Sequence, residues 1–421
     1  MKNFSIFLAI SLVLVITTGI VGCASGSGIA GASARAVNLM DDMTAQTVTG
    51  KSADSTFTAS MAGFSIDLFK ESITGGENSL ISPLSVMLAL AMTTNGADGD
   101  TLAELEALLG NGMAIGTLNE YLYSYVNSLP SDANSKLSIA NSIWFRDIEA
   151  LQVKPEFLQT NADFYRAQIF RAAFDGQTVS DINDWVDTST DGMIDKIINE
   201  IRDEVMFLIN AVAFDAEWAF IYNESAIREG EFTDFQGNKQ RVDFMYSKER
   251  MFIDDGMATG FIKPYAGGTY SFVALLPNEG ISIDSYIASL TGSGFLEMLE
   301  NKQIEEVHTS MPKFEYEYGI SMVDVLMTLG IHKAFDERNA DLSKMAIYSN
   351  VNLFVSDVIH KTFISVDARG TRAGAATLVA ISPESAMLSE PKVVHLDRPF
   401  VFAIIDSSTN LPIFIGTVLT I

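Results

Sequence analysis

The sequence predicts one large α+β domain, residues 60–421, behind an export segment and a tether. Helical patterns with capping residues dominate the first half of this span, whereas apolar runs rich in β-branched residues dominate the second half. Neither a sequence repeat nor a linker interrupts the span. The whole chain has 421 residues and is 48% hydrophobic, which is enough apolar material for one large domain or two ordinary ones, and the uninterrupted span favours one.

Residues 1–22 have the pattern of an export signal. Lys2 precedes an almost wholly apolar run that ends in small residues just before Cys23. The stretch IVGC resembles the lipobox of prokaryotic lipoproteins, whose cysteine is lipidated and becomes the new N-terminus. We therefore expect residues 1–22 to be a signal peptide, and Cys23 to carry a lipid that holds the exported protein at the cell surface. An uncleaved membrane anchor is one alternative, because the apolar run is close to spanning length, and a secreted protein is another.

Residues 23–59 are predicted to be a flexible tether, since Ala, Ser, Gly and Thr dominate them without a hydrophobic period. The tether contains GSGIAG, which formally matches a dinucleotide-binding motif but follows a signal peptide instead of a strand. No nucleotide site is expected there. Cys23 is the only cysteine, so an intramolecular disulfide is excluded.

The chain is strongly acidic, with 53 acidic against 27 basic residues and a net charge of −26. Such a surface repels phosphate backbones and anionic head groups, which argues against nucleic acid as a partner. The charge is consistent with high solubility or a salty habitat, and a cationic partner is the alternative.

Three helical stretches can be placed in the first half. SPLSVMLALAMTTNGA begins with Ser82 as the N-cap and Pro83 at the first helical position. TLAELEALLG carries a capping box made of Thr101 and Glu104. INDWVDTSTDGMIDKII is predicted to be a helix that breaks at Gly192 and continues as a second apolar turn.

Three β segments can be placed in the second half. YSFVALLPN is a strand ended by its Pro-Asn pair. VNLFVSDVIHKTFISVD is a long extended run with frequent β-branched residues. RPFVFAIIDSSTNLPIFIGTVLTI contains two apolar strands joined by a polar loop, which predicts a hairpin.

The motifs of common enzyme classes are absent from the sequence. It contains no H-E-x-x-H, no G-x-S-x-G, no P-loop and no cysteine-based metal pattern. The four histidines are not spaced as metal ligands: His308, His332, His360 and His395. We therefore expect neither an enzyme nor a bound metal or cofactor.

The stretch GTRAGAAT, residues 370–377, is unusually bland for a segment that follows a strand. At a period of two residues its faces are Thr371, Ala373, Ala375 and Thr377, and Gly370, Arg372, Gly374 and Ala376. Only the second face carries a charge. Such small side chains bury little apolar area, which is unusual for a permanent central strand. The pattern indicates a segment that can be a loop and can also enter a sheet with its uncharged face on the core.

The segments from residue 60 onward follow an order that resembles the serpins. NSLISPLSVMLALAMTTNGADGDTLAEL resembles an early serpin helix, and NSIWF and NAVAFDAEW resemble strands of the large sheet. MPKFEYEY, FVSDVIHKTFISVDARGTRAGAAT and DRPFVFAIIDSSTNLPIFIGTV complete the series. The chain is therefore identified as a member of the serpin family, of a prokaryotic lipoprotein type. The resemblance implies about nine helices, three β-sheets and an exposed reactive loop after VDARG.

The resemblance also implies a function. A target serine protease, or else a cysteine protease, attacks the loop of an inhibitory serpin, and the loop then inserts into the large sheet and traps the acyl-enzyme. The family's hinge falls on residues 370–377, and inhibitory members have small residues where this chain has Thr371 and residues 373–376. Ala368 and Arg372 stand where a glutamate is common. The resemblance implies a monomer whose partner is a protease in a covalent complex.

Four other positions carry over from the family. Ser82, Asn210 and His360 match the polar cluster called the shutter, where the large sheet opens. A buried histidine needs hydrogen-bond partners, which Ser and Asn can supply. Trp218 matches the tryptophan of the breach, near the point of loop entry. The alternatives are a core histidine without a switching role and a tryptophan that only fills the core.

The reactive bond is expected between Glu384 and Ser385, counting from Gly370 with the usual inhibitory spacing. This bond predicts a protease that prefers glutamate. The loop is several residues longer than in familiar members, so the bond between Met387 and Leu388 is an alternative that would suit elastase-like or chymotrypsin-like proteases. Cleavage after Ala386 or after Leu388 also stays open.

Two other functions remain as alternatives. A non-inhibitory serpin, such as a carrier or a structural surface protein, would be expected to have charged or bulky residues on the inserting face of its hinge, and this chain has none there. An enzyme of another class is disfavoured by the absent motifs.

Overall fold

The computed structural model describes residues 35–129, 135–149, 151–348, 352–371 and 391–421. The predicted signal peptide, Cys23 and most of the predicted reactive loop lie outside these residues. The described elements belong to one unit of the chain, Ala34–Ile421. In this part of the chain no helix is both long enough and apolar enough to span a bilayer.

Nine α-helices lie in the described residues: α1 (Ser55–Glu71), α2 (Pro83–Thr94), α3 (Gly99–Gly110), α4 (Ile115–Ser128), α5 (Pro155–Tyr165), α6 (Gly176–Ser189), α7 (Ile283–Ser289), α8 (Gly292–Glu300) and α9 (Val323–Thr328). Two short 3-10 helices are added to them: Glu224–Ala226 and Lys333–Phe335.

The same residues contain the following strands: β1 (Val37–Asn38), β2 (Ser79–Ile81), β3 (Ser135–Arg146), β4 (Gln152–Val153), β5 (Gln168–Ala172), β6 (Met206–Glu217), β7 (Ile227–Thr233), β8 (Lys239–Asp254), β9 (Ala258–Pro264), β10 (Tyr270–Pro277), β11 (Gln303–Pro312), β12 (Phe314–Ser321), β13 (Ala346–Ile347), β14 (Asp357–Val366), β15 (Gly370–Thr371), β16 (Lys392–His395), β17 (Phe400–Asp406) and β18 (Pro412–Val418).

The strands form three sheets. Seven strands make up the large sheet, in the order β1-β5-β3-β6-β15-β14-β12. Nine strands make up the second sheet, in the order β16-β11-β8-β9-β10-β17-β18-β2 with β7 paired to β8. The third is a ladder of β4 and β13. The predicted α+β class, with about nine helices and three sheets, is confirmed for the described residues.

Helix α2 lies in the core between the two larger sheets. All of its residues are buried, and it contacts β3 and β6 of the large sheet and β18 of the second sheet. A helix with so many apolar residues around its circumference is stable only when protein surrounds it. This position sets the start of α2, with Ser82 and Ser85, against the middle strands of the large sheet.

The strand predictions of the second half agree with the structure. YSFVALLP forms β10, and β17 and β18 form the expected antiparallel hairpin. The extended run that begins at residue 351 is regular only over Asp357–Val366, which is β14.

The capping box predicted for α3 is wrong. The N-cap is Asp98, whose carboxylate accepts the N–H of Gly99 at 3.0 Å, so the helix begins before Thr101. Thr101 and Glu104 bind another segment instead: the Thr101 hydroxyl accepts the N–H of Asp341 at 2.9 Å, and the Glu104 carboxylate accepts the N–H of His332 at 2.7 Å. Both side chains therefore fasten α3 to residues 332–341.

The second helical turn predicted after Gly192 is also wrong. Residues 193–204 are irregular, and the Asn183 side-chain oxygen accepts the N–H groups of Ile197 and Ile198 at 2.8 and 3.1 Å. Ile198 belongs to the apolar cluster that covers one face of the large sheet. Tertiary packing therefore replaces the helical hydrogen bonds that the apolar pattern predicted.

Residues 35–54 lie against the domain, although the sequence predicts a tether through residue 59. β1 extends the edge of the large sheet by pairing antiparallel with β5, and the N–H of Leu39 donates to the Ile169 carbonyl at 2.7 Å. Asp54 caps α1 by accepting the N–H of Phe57 at 3.0 Å. A strand of two residues has no hydrophobic period, which is why composition alone indicates a tether here.

Candidate functional site

The candidate site is the place where two central strands of the large sheet part. β6 and β14 run parallel and pair directly, with Phe207–Val212 opposite Asp357–Thr362. Beyond these residues the two strands separate, and β15 lies in the gap, antiparallel to both. The large sheet is therefore closed over one part of its length and open at one end by the width of a strand.

β15 is the start of the predicted hinge. Thr371 pairs with Ala216 on β6 and with Val366 on β14, and it is only 1% exposed. Its hydroxyl shares a hydrogen bond of 2.6 Å with the Tyr265 hydroxyl. Thr371 thus lies on the face that the two-residue alternation assigns to the core. The rest of the predicted hinge, Arg372–Thr377, lies outside the described residues.

Gly370 allows β15 to approach β6 closely. A Cβ atom at this position would lie 2.0 Å from the carbonyl oxygen of Ala216 and 2.8 Å from the Cα of Glu217. Both atoms belong to the backbone of β6, so the strand itself would have to move. The absence of a side chain is therefore a requirement for the pairing of β15 with β6.

A tight turn, residues 367–370, joins β14 to β15; we name it the hinge turn. The N–H of Asp367 donates to the Gly370 carbonyl at 3.0 Å. The Asp367 carboxylate accepts the N–H groups of Arg369 and Gly370 at 2.7 and 3.2 Å. An Asp side chain that binds backbone N–H groups two and three residues later stabilises a turn.

Residues 218–222, which follow β6 and which we name the clamp segment, hold the hinge turn from outside. The Trp218 N–H donates to the Arg369 carbonyl at 2.8 Å, and its indole N–H donates to the Asp367 carbonyl at 2.9 Å. The N–H of Tyr222 donates to the Ala368 carbonyl at 2.8 Å. Three successive carbonyl groups of the hinge turn are therefore bound by the clamp segment.

Trp218 also packs in the core. Its ring is stacked on Tyr265 with the centroids 4.5 Å apart, and it meets Phe272 edge-on at 5.8 Å. The Tyr265 hydroxyl in turn forms a hydrogen bond with Thr371, which connects this aromatic pair to the predicted hinge. Trp218 thus fills the core and holds the hinge turn with the same side chain.

Ala368 stands where the family commonly has glutamate, and other contacts hold this position. Its carbonyl is bound by Tyr222, and the neighbouring Arg369 lies 3.5 Å from Glu217. The Arg369 side chain is well exposed, and exposed ion pairs contribute at most about 1 kcal/mol. The backbone hydrogen bonds are therefore the main anchors of the hinge turn.

Where β6 and β14 pair directly, three neighbouring strands each carry a polar residue at the same level. In the register of the sheet, Asn141 on β3 is opposite Asn210 on β6, which is opposite His360 on β14. His360 Nδ1 binds the Asn210 side-chain oxygen, and the Asn210 amide donates to Asn141 and to Ser85 on α2. The N–H of Ser82 donates to His360 Nε2 at 3.2 Å. Side-chain hydrogen bonds therefore cross the closed part of the sheet.

The predicted shutter residues meet in this network, but Ser82 takes part through its backbone. Its buried hydroxyl has no hydrogen-bond partner among the described residues. Sequence reasoning missed Ser85 and Asn141. Ser85 follows Ser82 by three residues, which places both on one face of a helix, and Asn141 is a polar residue in the strand NSIWF. These two signals could have found them.

Burial keeps His360 neutral. The residue is fully buried, and desolvation lowers the pKa of its imidazole to about 3. Because a backbone N–H can only donate, Nε2 must be the unprotonated nitrogen and Nδ1 must carry the proton toward Asn210. A single tautomer therefore satisfies both neighbours.

The low pKa of His360 predicts that stability falls in acid. Below the ordinary value of 6.5 the unfolded chain binds a proton that the folded chain refuses until about pH 3. The contribution of His360 is thus present above pH 6.5 and is lost at about 1.4 kcal/mol per pH unit below it. We expect His360→Gln to remove this slope, measured as the difference between the two proteins in urea unfolding from pH 7 to pH 4.5. A difference that stays constant over this range would contradict the assignment.

The remaining candidate side chains in the described residues were the acidic groups and histidines that could bind a metal ion. No group of three His, Cys, Asp or Glu side chains is placed to hold a metal ion in this part of the chain. His308 and His395 bind Glu306 and Ser310 at 2.8 and 2.9 Å, away from the parted strands. The residues of the predicted reactive bond lie outside the described residues: Glu384, Ser385, Met387 and Leu388.

A family model described as serpin (serine protease inhibitor) matches residues 59–421. An uncharacterized serpin-like protein from Thermococcus kodakarensis is 30% identical over 361 residues, which cover 84% of this chain and 83% of that protein. Serpin-ZX from Arabidopsis thaliana is 28% identical over 378 residues, with 84% and 95% coverage.

Solved structures of serpins are also similar to this chain. The thermophilic serpin tengpin in its native state is 53% identical, with a TM-score of 0.89 over 92% of this chain and 100% of that chain. Tengpin in its latent state scores 0.79 at 50% identity, over 89% and 100%. The chain belongs to the serpin family.

Proposed function

We propose that this serpin inhibits serine endopeptidases, or else cysteine endopeptidases, by trapping the acyl-enzyme. The target attacks the reactive loop as a substrate, and the cleaved loop then enters the large sheet as an additional strand between β6 and β14. Entry deforms the attached protease, so that the acyl bond persists.

One observation carries this proposal: Gly370 and Thr371 already lie between β6 and β14 as a strand antiparallel to both. The hinge therefore has the direction and the register that a longer inserted strand would need. Further entry requires the direct pairs between Phe207–Val212 and Asp357–Thr362 to open. The small residues that follow Thr371 in the sequence suit such an entry.

The covalent step uses the chemistry of the protease. Its serine oxygen attacks the carbonyl carbon of Glu384, and the bond to the Ser385 nitrogen breaks. That nitrogen takes up a proton and becomes the N-terminus of the C-terminal peptide. The remaining bond is an ester between the protease serine and Glu384, which water would hydrolyse in an ordinary substrate.

A serine protease that cleaves after glutamate should therefore form a covalent complex with this protein. The complex should survive boiling in SDS because the ester is a covalent bond. Mass spectrometry should find the peptide Ser385–Ile421 with it.

Elastase-like and chymotrypsin-like proteases are run in parallel. A trapped complex with a peptide that begins at Leu388 would support the inhibitory function and would place the reactive bond between Met387 and Leu388. Cleavage by every protease without a covalent complex would instead support a non-inhibitory serpin, such as a carrier or a structural surface protein.

We also propose that the mature protein is held at the outer cell surface by a lipid on Cys23. The lipobox-like stretch IVGC and the position of the sole cysteine directly after the apolar run support this proposal. Mass spectrometry of the mature N-terminus should find lipidated Cys23, and Cys23→Ala should leave the protein uncleaved or release it from the membrane. An unmodified N-terminus downstream of Cys23 would contradict lipidation.

A further inference from the structure

A buried ion pair lies directly behind the clamp segment. Lys263 on β9 is 2% exposed, and its ammonium lies 2.8 Å from the carboxylate of Glu249 on β8, which is also buried. Breaking such a pair by removing one partner leaves an uncompensated buried charge, whereas replacing both charges by apolar groups is often neutral for stability. A buried pair therefore needs an explanation other than stability.

Lys263 has a further contact that points to the clamp segment. Its ammonium donates to the carbonyl of Phe220 at 3.3 Å, in the middle of residues 218–222. It also lies over the ring of Tyr222, 4.4 Å from the centroid, and 5.4 Å from the centroid of Trp218. The next carbonyl along β9, that of Pro264, accepts the N–H of Ala219 at 3.0 Å. One short stretch of β9 thus holds the clamp segment from behind.

Hydrogen bonds to Glu249 hold its carboxylate in place beside Lys263. The Ser247 hydroxyl donates to the Glu249 carboxylate at 2.6 Å and lies 2.9 Å from the hydroxyl of Thr309. Burial opposes the charge on Lys263, but the adjacent Tyr222 and Glu249 hold the pKa of its ammonium above the ordinary value. The ammonium is therefore charged at neutral pH and forms a charge-assisted hydrogen bond with the Phe220 carbonyl.

We propose that Lys263, held by Glu249, is a positioning residue for loop insertion. Through the Phe220 carbonyl it fixes the clamp segment, and the clamp segment fixes the three carbonyls of the hinge turn. The direction in which the loop enters the sheet is thereby set before any protease binds. The role in trapping rests on the proposed inhibitory function, whereas the role in holding the hinge turn does not.

The test compares the wild type with the double variant Lys263→Met, Glu249→Leu, which removes both charges without leaving either one buried alone. We expect its midpoint of urea unfolding not to fall. Amide hydrogen exchange in a peptide covering residues 217–223 should become about tenfold faster, because the donors to the hinge turn lose their support. The number of serpin molecules consumed per trapped protease should rise about threefold or more, because slower insertion gives hydrolysis of the ester more time.

Two further variants make the result specific. Lys263→Arg keeps a cation for Glu249 and a donor for the Phe220 carbonyl. Amide exchange in residues 217–223 should therefore stay as slow as in the wild type. The pair Arg241→Gln, Glu229→Gln removes an exposed ion pair between β7 and the same strand β8, and should change neither exchange nor trapping. If the apolar double variant does not fold, Lys263→Gln with Glu249→Gln takes its place.

The outcomes separate the two proposals. Unchanged exchange in the double variant would overturn the positioning role. Faster exchange with an unchanged number of serpin molecules consumed per trapped protease would also overturn it, because loosening the clamp segment would then have no effect on insertion. If the wild type traps no protease at all, the inhibitory function fails, and the exchange measurement alone still decides whether Lys263 holds the hinge turn.

Discussion

Thr371→Arg is expected to convert the protein from an inhibitor into a substrate. Thr371 is buried between β6 and β14, and its hydroxyl binds the hydroxyl of Tyr265. An arginine here would place a charge beside the buried side chain of Tyr265, on the face of the sheet that packs on the core. A buried, unpaired charge costs about 3–5 kcal/mol, so the hinge should leave the gap and insertion should slow about a hundredfold or more.

The measurement is the stoichiometry of trapping, with cleaved and covalently bound protein resolved by SDS gel. About one molecule of the wild-type serpin should be consumed for each protease trapped, whereas the Thr371→Arg variant should be cleaved and released. Thr371→Ser is the matched control, because it keeps the hydroxyl that meets Tyr265, and it should still trap. If Thr371→Arg traps at the wild-type stoichiometry, this side chain does not pass into the core face of the sheet.

Hydrophobic periodicity and the residues that begin or end an element are sufficient to predict the helices and strands that are buried on one face or on all faces. Helix α2 is buried on every face and begins at Pro83 after Ser82, and β10 ends at its proline, so the local sequence and the position in the fold agree. Residues 193–204 show the limit of this reasoning. Their apolar pattern suits a helix, but the side chain of Asn183 binds their backbone and the large sheet covers their apolar side chains. A local pattern contains no information about such distant partners.

The candidate site was predictable only in part for the same reason. The small residues of the hinge are visible in one strand-like stretch, so the alternation placed Thr371 on the core face. The pair Lys263 and Glu249 could not be predicted, because the two residues are fourteen positions apart and their neighbourhood depends on how β8 and β9 pair. The bonds between the clamp segment and the hinge turn join residues almost 150 positions apart.

Among the predicted shutter residues, Asn210→Ala is expected to produce the largest loss of stability. The Asn210 side chain is fully buried and serves three partners: His360, Asn141 and Ser85. Each buried polar group left without a partner costs about 1–3 kcal/mol, so the free energy of unfolding should fall by about 3 kcal/mol or more. The same change removes the hydrogen bond between the His360 and Asn210 side chains, which joins β14 to β6 where they pair directly. The two strands should therefore part more readily.

The two effects can be separated by a second buried asparagine outside the large sheet. Asn119 on α4 is also buried and binds Asn95 and Tyr165, so Asn119→Ala should lower the urea midpoint by a comparable amount. Only Asn210→Ala should lose inhibitory capacity during mild heating without protease, because only there does the lost bond keep the sheet closed. Equal loss of capacity in the two variants would mean that Asn210 stabilises the fold in general and does not control the opening between β6 and β14.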